Sequence, residues 1–244
     1  MAENLVDLLW RKDASPRTTV RRGPRARLSV DEVVAGAIEL ADTQGVDAMT
    51  IRALAQSLEL TTMSIYTHVS SRADLLVLMV DELHARMPAT SDEGAGWRAR
   101  ARRVAEDNLA LLRAHPWMSD IDDARVAVGP GTIAKYDREL RVFEDTDLAD
   151  VERDAALSFV LDFVAATASR MRESAEREQF GPFWAEAAPR LSTYLGDRFP
   201  LAQSVGRAAG EAMDGPYDAD VAWRFGLGRV IDGLAGIISD RSAR

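Results

Sequence analysis

The sequence contains no cysteine, which removes disulfides, thiolate metal ligands and cysteine nucleophiles from consideration. It has three histidines, His68, His84 and His115, and their spacing forms no His-Glu-x-x-His or other short-range ligand pair. No metal and no cofactor are therefore expected. Long apolar runs are missing too. The best candidate, residues 226–238, falls short of the roughly 18 uninterrupted residues a membrane span requires and carries Arg229 and Asp232. The amino end, MAENLVDLLWRKD, lacks the basic start and long apolar core of a secretion signal, so a cytoplasmic location is expected. Strand signals are nearly absent, with no sustained β-branched alternation bounded by turn dipeptides. The carboxylates around residues 120–123 and the pair Asp145 and Asp147 have no partner motif and read as cap and surface charges. An enzyme is not expected.

What remains is a chain of 244 residues, 47% hydrophobic and 28% charged, with the composition of a globular protein and enough length to bury a large core. Its formal net charge is −9, unevenly spread. Residues 1–27 carry seven basic groups, among them Arg21, Arg22, Arg25 and Arg27, against three acidic ones. Residues 88–244 carry 20 basic and 27 acidic groups. A basic arm on an acidic body points to a polyanionic partner at one end, the alternative being a solvated tail.

Helical periodicity runs through nearly the whole chain, so an all-α fold is expected. A short amphipathic piece, NLVDLLWRK, precedes a stretch punctuated by Pro16, Gly23 and Pro24. Ser29 and Glu32 then form a capping box ahead of an apolar stripe of Val33, Val34, Ala37, Ile38 and Ala41, closed by Gly45. Thr50 is the next N-cap, opening a helix with Ile51, Leu54, Ala55 and Leu58 on one face. Thr61 or Thr62 must cap another helix almost at once, and two short helices joined so tightly behind a longer one form a helix-turn-helix. Ser71 and Asp74 cap a fourth helix, over about 72–87, stopped by Pro88. The remainder reads as helices over about 97–114, 132–144, 148–176, 182–195, 202–213 and 218–239, with a short turn near 120–126.

The stretch TTMSIYTHV, residues 61–69, carries the function-bearing pattern. Ile65 and Val69 lie four apart and must face inward, which leaves Thr62, Met63, Ser64, Tyr66, Thr67 and His68 over the remaining surface. A plain solvated helix favours Glu, Lys and Gln, which cost less helix propensity than Ser and Thr. Hydroxyls here can bond phosphates and base edges, and methyl groups can touch thymine methyls in the major groove. A surface helix without a partner stays open as the alternative.

Residues 28–79 resemble the DNA-binding head of the tetracycline-repressor (TetR) family of transcriptional regulators. The resemblance rests on AIELADTQG, MTIRALAQSL and YTHVSSRADLL taken together. It extends more loosely into AHPWM, GPGTIA and WRFGLGRVIDGLAGI, which are similar to the larger C-terminal domain of the branch that includes the tetracycline repressor. The resemblance implies a three-helix helix-turn-helix head joined to a larger helical ligand-binding and dimerisation domain. It also implies a homodimer on a double-stranded, palindromic DNA operator, acting as a repressor released by a small-molecule effector. The expected organisation is an N-terminal extension with a basic arm over 1–27, a DNA-binding domain over 28–75, and a ligand-binding and dimerisation domain over 76–244. The match makes Thr62, Met63, Ser64 and Thr67 base-facing and gives Tyr66, His68 and Arg72 to the phosphate backbone. Thr50 and Arg52 add contacts from the preceding helix, and Arg22 and Arg25 would track the duplex from the arm. Many relatives have glycine in the tight turn where this chain has Glu59, so a left-handed backbone cost is expected there.

Two heads must sit about 34–36 Å apart on such a site, so dimerisation is a mechanical requirement. The long helix near 148–176 and the last helix carry it by resemblance, with Gly226, Gly233 and Gly236 permitting close approach. For the effector, Trp97, Trp117, Phe159, Phe163, Trp184 and Tyr194 are the candidate aromatics, with His115 and Asp162 as polar anchors; core packing is the alternative for each. A near-complete switch needs about 10⁴-fold preference between two states, and the helix over 72–87 is the natural lever between effector and head.

Overall fold

The computed structural model describes residues 4–12, 28–88, 95–176, 180–213 and 218–242. Among them the chain forms helices and short 3₁₀ turns with no strand. The helices are α1 (Leu5–Leu9), α2 (Val30–Gln44), α3 (Ile51–Ser57), α4 (Thr62–Tyr66), α5 (Arg72–Arg86) and α6 (Trp97–Ala114). They continue as α7 (Pro130–Leu140), α8 (Asp150–Glu176), α9 (Phe180–Leu195), α10 (Pro200–Met213) and α11 (Ala219–Ser242). The chain divides into two compact units, one of Met1–Arg100 with Glu106–Thr146 and one of Ala101–Ala105 with Asp147–Arg244.

In the first unit the predicted caps are present. The Ser29 hydroxyl accepts from the Glu32 N–H at 3.2 Å while the Ser29 N–H donates to the Glu32 carboxylate at 2.7 Å, closing the capping box of α2. Thr50 caps α3 through the Ala53 N–H, Thr61 caps α4 through the Ser64 N–H, and Ser71 caps α5 through the Asp74 N–H. One apolar core joins these elements: Val33, Val34 and Ala37 of α2, Leu54 of α3, Ile65 of α4, and Leu75, Leu78 and Met79 of α5 are all essentially excluded from solvent. Each such Val, Leu, Ile or Met side chain contributes about 1.5–3 kcal/mol by leaving water. Leu8 and Leu9 of α1 and Trp117 and Met118 from the turn after α6 belong to the same core.

The GPGTIA motif opens α7 two residues earlier than the pattern predicts, because Pro130 suits the first helical position, where an N–H would have no partner inside the helix. Asp81, buried on α5, accepts the Thr132 N–H at 2.8 Å and so caps α7 from another helix. Gly131 is obligatory for that contact, since an added Cβ would lie 2.2 Å from the Asp81 carbonyl oxygen. Beside it, Lys135 donates to Glu139 at 2.6 Å and the Asn108 side-chain amide donates to the same carboxylate at 2.6 Å, all three buried.

In the second unit α8 packs on α11. Val160 and Val164 of α8 are buried, as are Trp223, Leu227, Val230 and Ile231 of α11. Phe163 stacks on Trp223 with ring centroids 5.4 Å apart. Gly226 admits that ring, because a Cβ there would sit 2.5 Å from Phe163 Cε2. Val151 and Phe159 of α8, and Phe225, Gly233, Gly236 and Ile237 of α11, remain exposed.

Candidate nucleic-acid interface

The turn between α3 and α4 is set by hydrogen bonds that close the end of α3. The Leu60 N–H donates to the Ala55 carbonyl at 2.8 Å and the Glu59 N–H to the Gln56 carbonyl at 3.2 Å, the paired bonds of a Schellman motif. That motif needs a left-handed residue, and here it is Glu59, with φ 55°. Glu59 is exposed, so the backbone cost foreseen from the sequence is real and the carboxylate lies at the surface of the turn.

From this turn α4 projects with its two faces separated. Ile65 and Val69 are buried, whereas Thr62, Met63, Tyr66 and Thr67 are exposed, Met63 to 73%. A methionine so exposed on a five-residue helix gains nothing from its own fold and is suited to a partner surface. Ser64 is half-buried, its hydroxyl 2.9 Å from the Thr61 hydroxyl. The Thr67 hydroxyl donates to the Ser64 carbonyl at 2.7 Å, which fixes the rotor and leaves its lone pairs outward as acceptors. His68 is half-buried, and Thr50 and Arg52 are exposed at the start of α3.

Arg72 makes long-range bonds that the sequence does not show. Its guanidinium turns inward, with Nε donating to the Met49 carbonyl at 2.9 Å and Nη2 donating to the Val46 carbonyl. It straps the loop that presents Thr50 to the start of α5. Arg22 and Arg25 lie outside the described residues.

Residues 28–87 hold only Arg52, Arg72 and Arg86 against nine carboxylates, an unusual balance for a surface that meets a polyanion. The structure supplies cations from elsewhere. Arg11 and Lys12, from the segment after α1, bond Asp31. Burial alone would raise the Asp31 carboxyl, but the hydrogen bonds and charge of these two residues outweigh it and hold it below the usual range. Lys12 also bonds Glu82 at 2.9 Å and Arg125 bonds Asp74 at 2.7 Å. None of these partners is visible in the sequence, since they join residues 20, 70 and 51 positions apart.

The effector candidates separate between the two units. In the first, His115 Nδ1 lies 2.8 Å from Asp42 Oδ1 and the Trp117 indole N–H donates to the same oxygen at 2.7 Å. Trp117 is 3% exposed and packs in the core of the head, the alternative role foreseen for it. His115 also lines a cavity of about 290 Å³ with Leu83, Arg86, Met87, Asp107 and Leu111. In the second unit Phe159 and Asp162 are exposed on α8 and Phe163 is engaged by Trp223. The side chain of Trp184 lies outside the described residues. Trp97 packs near Phe143, and Tyr194 is 76% exposed. Among the described residues no group of three or more His, Asp or Glu converges as a metal site, and no helix is long and apolar enough to cross a membrane.

Residues 88–238 match the protein family described as "Tetracyclin repressor-like, C-terminal domain". The chain is 32% identical over 243 residues to the HTH-type transcriptional repressor DrrR1 of Streptomyces coeruleorubidus, covering 97% of this chain and 86% of that protein. Apo ActR from Streptomyces coelicolor superposes with a TM-score of 0.72 at 25% identity, over 89% of this chain and 100% of ActR. ActR in complex with actinorhodin gives a TM-score of 0.69 at 28% identity, over 86% and 97% of the two chains.

Proposed function

Because the chain belongs to the tetracycline-repressor family and is a DNA-binding transcriptional regulator, we propose that it represses from a palindromic operator as a homodimer and is released by a small-molecule ligand. The observation that carries the reading is α4 itself: a helix with its apolar face fully buried and Thr62, Met63, Tyr66 and Thr67 presented outward together. Residues 28–75 act as the reading head, residues 1–27 as its extension and residues 76–244 as the ligand-binding and dimerisation domain. Thr62, Met63, Ser64 and Thr67 face the bases, while Tyr66, His68, Thr50 and Arg52 meet phosphates. The exposed apolar residues of α8 and α11 support dimerisation through these helices, since Phe159, Phe225 and Ile237 otherwise stand in water.

For release, the cavity beside His115 is at the low end of ligand-sized volumes and lies along α5, the helix that continues from the head. A ligand seated there bears on Leu83, Arg86 and Met87 and thereby on the orientation of α5. ActR, solved with actinorhodin, supports a ligand-responsive reading. Binding and release involve no bond-making chemistry, so no catalytic residues are assigned. Selection of bound sequences from random DNA with the purified full chain tests the reading. It should enrich an inverted repeat, and substituting Met63 and Tyr66 with Ala should weaken binding to it by tenfold or more. Failure to enrich any repeat at low salt would overturn the proposal.

A further inference from the structure

The short helix α1 has no place in a three-helix head, yet it is built into this one. Asn4 caps it through the Val6 N–H, and Leu8 and Leu9 are each 2% exposed in the core of the head. Its last turn then reaches three separate elements. The Trp10 indole N–H donates to the Val128 carbonyl at 3.0 Å, just before α7. Arg11 bonds Asp31 in the first turn of α2 and also donates to the Leu8 carbonyl, which fixes its own direction. Lys12 bonds Glu82 on α5 at 2.9 Å, and Arg86 bonds the other oxygen of that carboxylate at 3.1 Å. Three consecutive side chains thus bond α2, α5 and the start of α7.

We propose that Trp10, Arg11 and Lys12 are positioning residues for DNA reading, clasping α2 to α5 so that the head is held in one orientation. The inference rests on the operator-binding function proposed above. An operator accepts two heads at one spacing, so a head free to tilt on α5 is competent for only a fraction of the time. The apparent dissociation constant rises by the inverse of that fraction. The clasp acts through orientation and not through contact with DNA. Arg11 and Lys12 spend their charge on Asp31 and Glu82, and Trp10 spends its donor on a backbone carbonyl.

The test uses the full chain and the inverted repeat selected above, whose binding by the unsubstituted protein secures the underlying reading before any variant is measured. Trp10→Phe keeps the packing and removes the donor, Lys12→Gln removes the bond to Glu82, and Lys12→Arg keeps a cation in place. These changes leave Leu8 and Leu9 intact, and circular dichroism confirms the fold of each variant. Each of the first two should weaken binding about threefold and the double variant about tenfold, as expected for bonds of this kind. Lys12→Arg should stay within twofold of the unsubstituted protein. The dependence of log affinity on log salt should keep its slope in every variant, because no phosphate contact is lost. Binding within twofold for the double variant would overturn the proposal. So would a slope that falls by about 0.9 in Lys12→Gln, which would make Lys12 a direct phosphate contact.

Discussion

Replacing Glu59 with glycine separates two effects that meet at the turn of the helix-turn-helix. Glu59 sits at φ 55° because the bonds from Leu60 to Ala55 and from Glu59 to Gln56 need a left-handed residue there. Holding an L-residue in that conformation costs about 1–2 kcal/mol, while glycine gives back about 0.5–1 kcal/mol through its freer unfolded chain. Glu59→Gly should therefore stabilise by about 0.5–1 kcal/mol and raise the melting temperature by about 1–4 °C for a chain of this size. Glu59→Gln keeps the backbone cost and removes only the charge, so it should melt within about a degree of the unsubstituted protein. On DNA the pattern reverses. Both variants remove a negative group beside a polyanion, so both should bind the selected repeat about two- to fivefold more tightly, the gain shrinking as salt rises. Thermal melts by circular dichroism and anisotropy titrations at two salt concentrations read the two effects separately. If Glu59→Gly melts no higher than Glu59→Gln, the conformational cost assigned to the turn is wrong.

Arg72→Met should lose about 2–4 kcal/mol in urea unfolding, since charged hydrogen bonds to the Val46 and Met49 carbonyls disappear and leave acceptors unfilled. Full stability with lost operator binding would instead return Arg72 to the phosphate backbone. His84 is held neutral by burial, reinforced by the charges of Lys135 and Arg138, which together push it down to about 3 from an ordinary 6.5. Folding favours its neutral form, so that contribution is complete above about pH 6.5 and is lost as pH falls toward 3, amounting to about 1–2 kcal/mol by pH 5. The unfolding free energy of His84→Gln should lack this part of the acid slope, and an unchanged slope would count against it. Substituting Arg22 and Arg25 with Gln should lower the salt slope of operator binding by about 1.8 if both meet phosphates, and an unchanged slope would remove the arm from the interface.

The parts of the head that could be read in advance are those whose physics is local. A cap joins a hydroxyl to an N–H three residues on, so Ser29, Thr50, Thr61 and Ser71 declare themselves within four residues of sequence. The inward pair Ile65 and Val69 follows from helical spacing in the same way. The inward bonds of Arg72 could not be read in advance, because their acceptors lie 23 and 26 residues upstream. The indole bond of Trp117 was equally hidden, its acceptor Asp42 lying 75 residues away. The buried layer of Asp81, Lys135, Glu139 and Asn108 left no trace in the periodicity, because each residue alone reads as an ordinary polar position of its helix.

The acid balance of the head shows how the two kinds of information combine. Counted along the chain, a DNA reader with three arginines and nine carboxylates looks unfit for its task. In the folded unit Asp31 and Glu82 are met by Arg11 and Lys12, Asp74 by Arg125, Asp42 by His115 and Trp117, and Asp81 is buried as the cap of α7. Two of the three arginines are also spent internally, Arg72 on carbonyls and Arg86 on Glu82, while Arg52 stays exposed. Such a head has little sequence-independent attraction for phosphates. On the proposed reading, its discrimination comes from the hydroxyl and thioether groups of Thr62, Met63, Ser64 and Thr67, whose bonds and contacts are short-ranged and distinguish bases. An orientation error in the head costs such a reader more than it would cost one held by long-range charge. On that reading, strapping α2, α5 and the loop before α3 through Arg11, Lys12 and Arg72 favours operator binding by holding the head in one orientation.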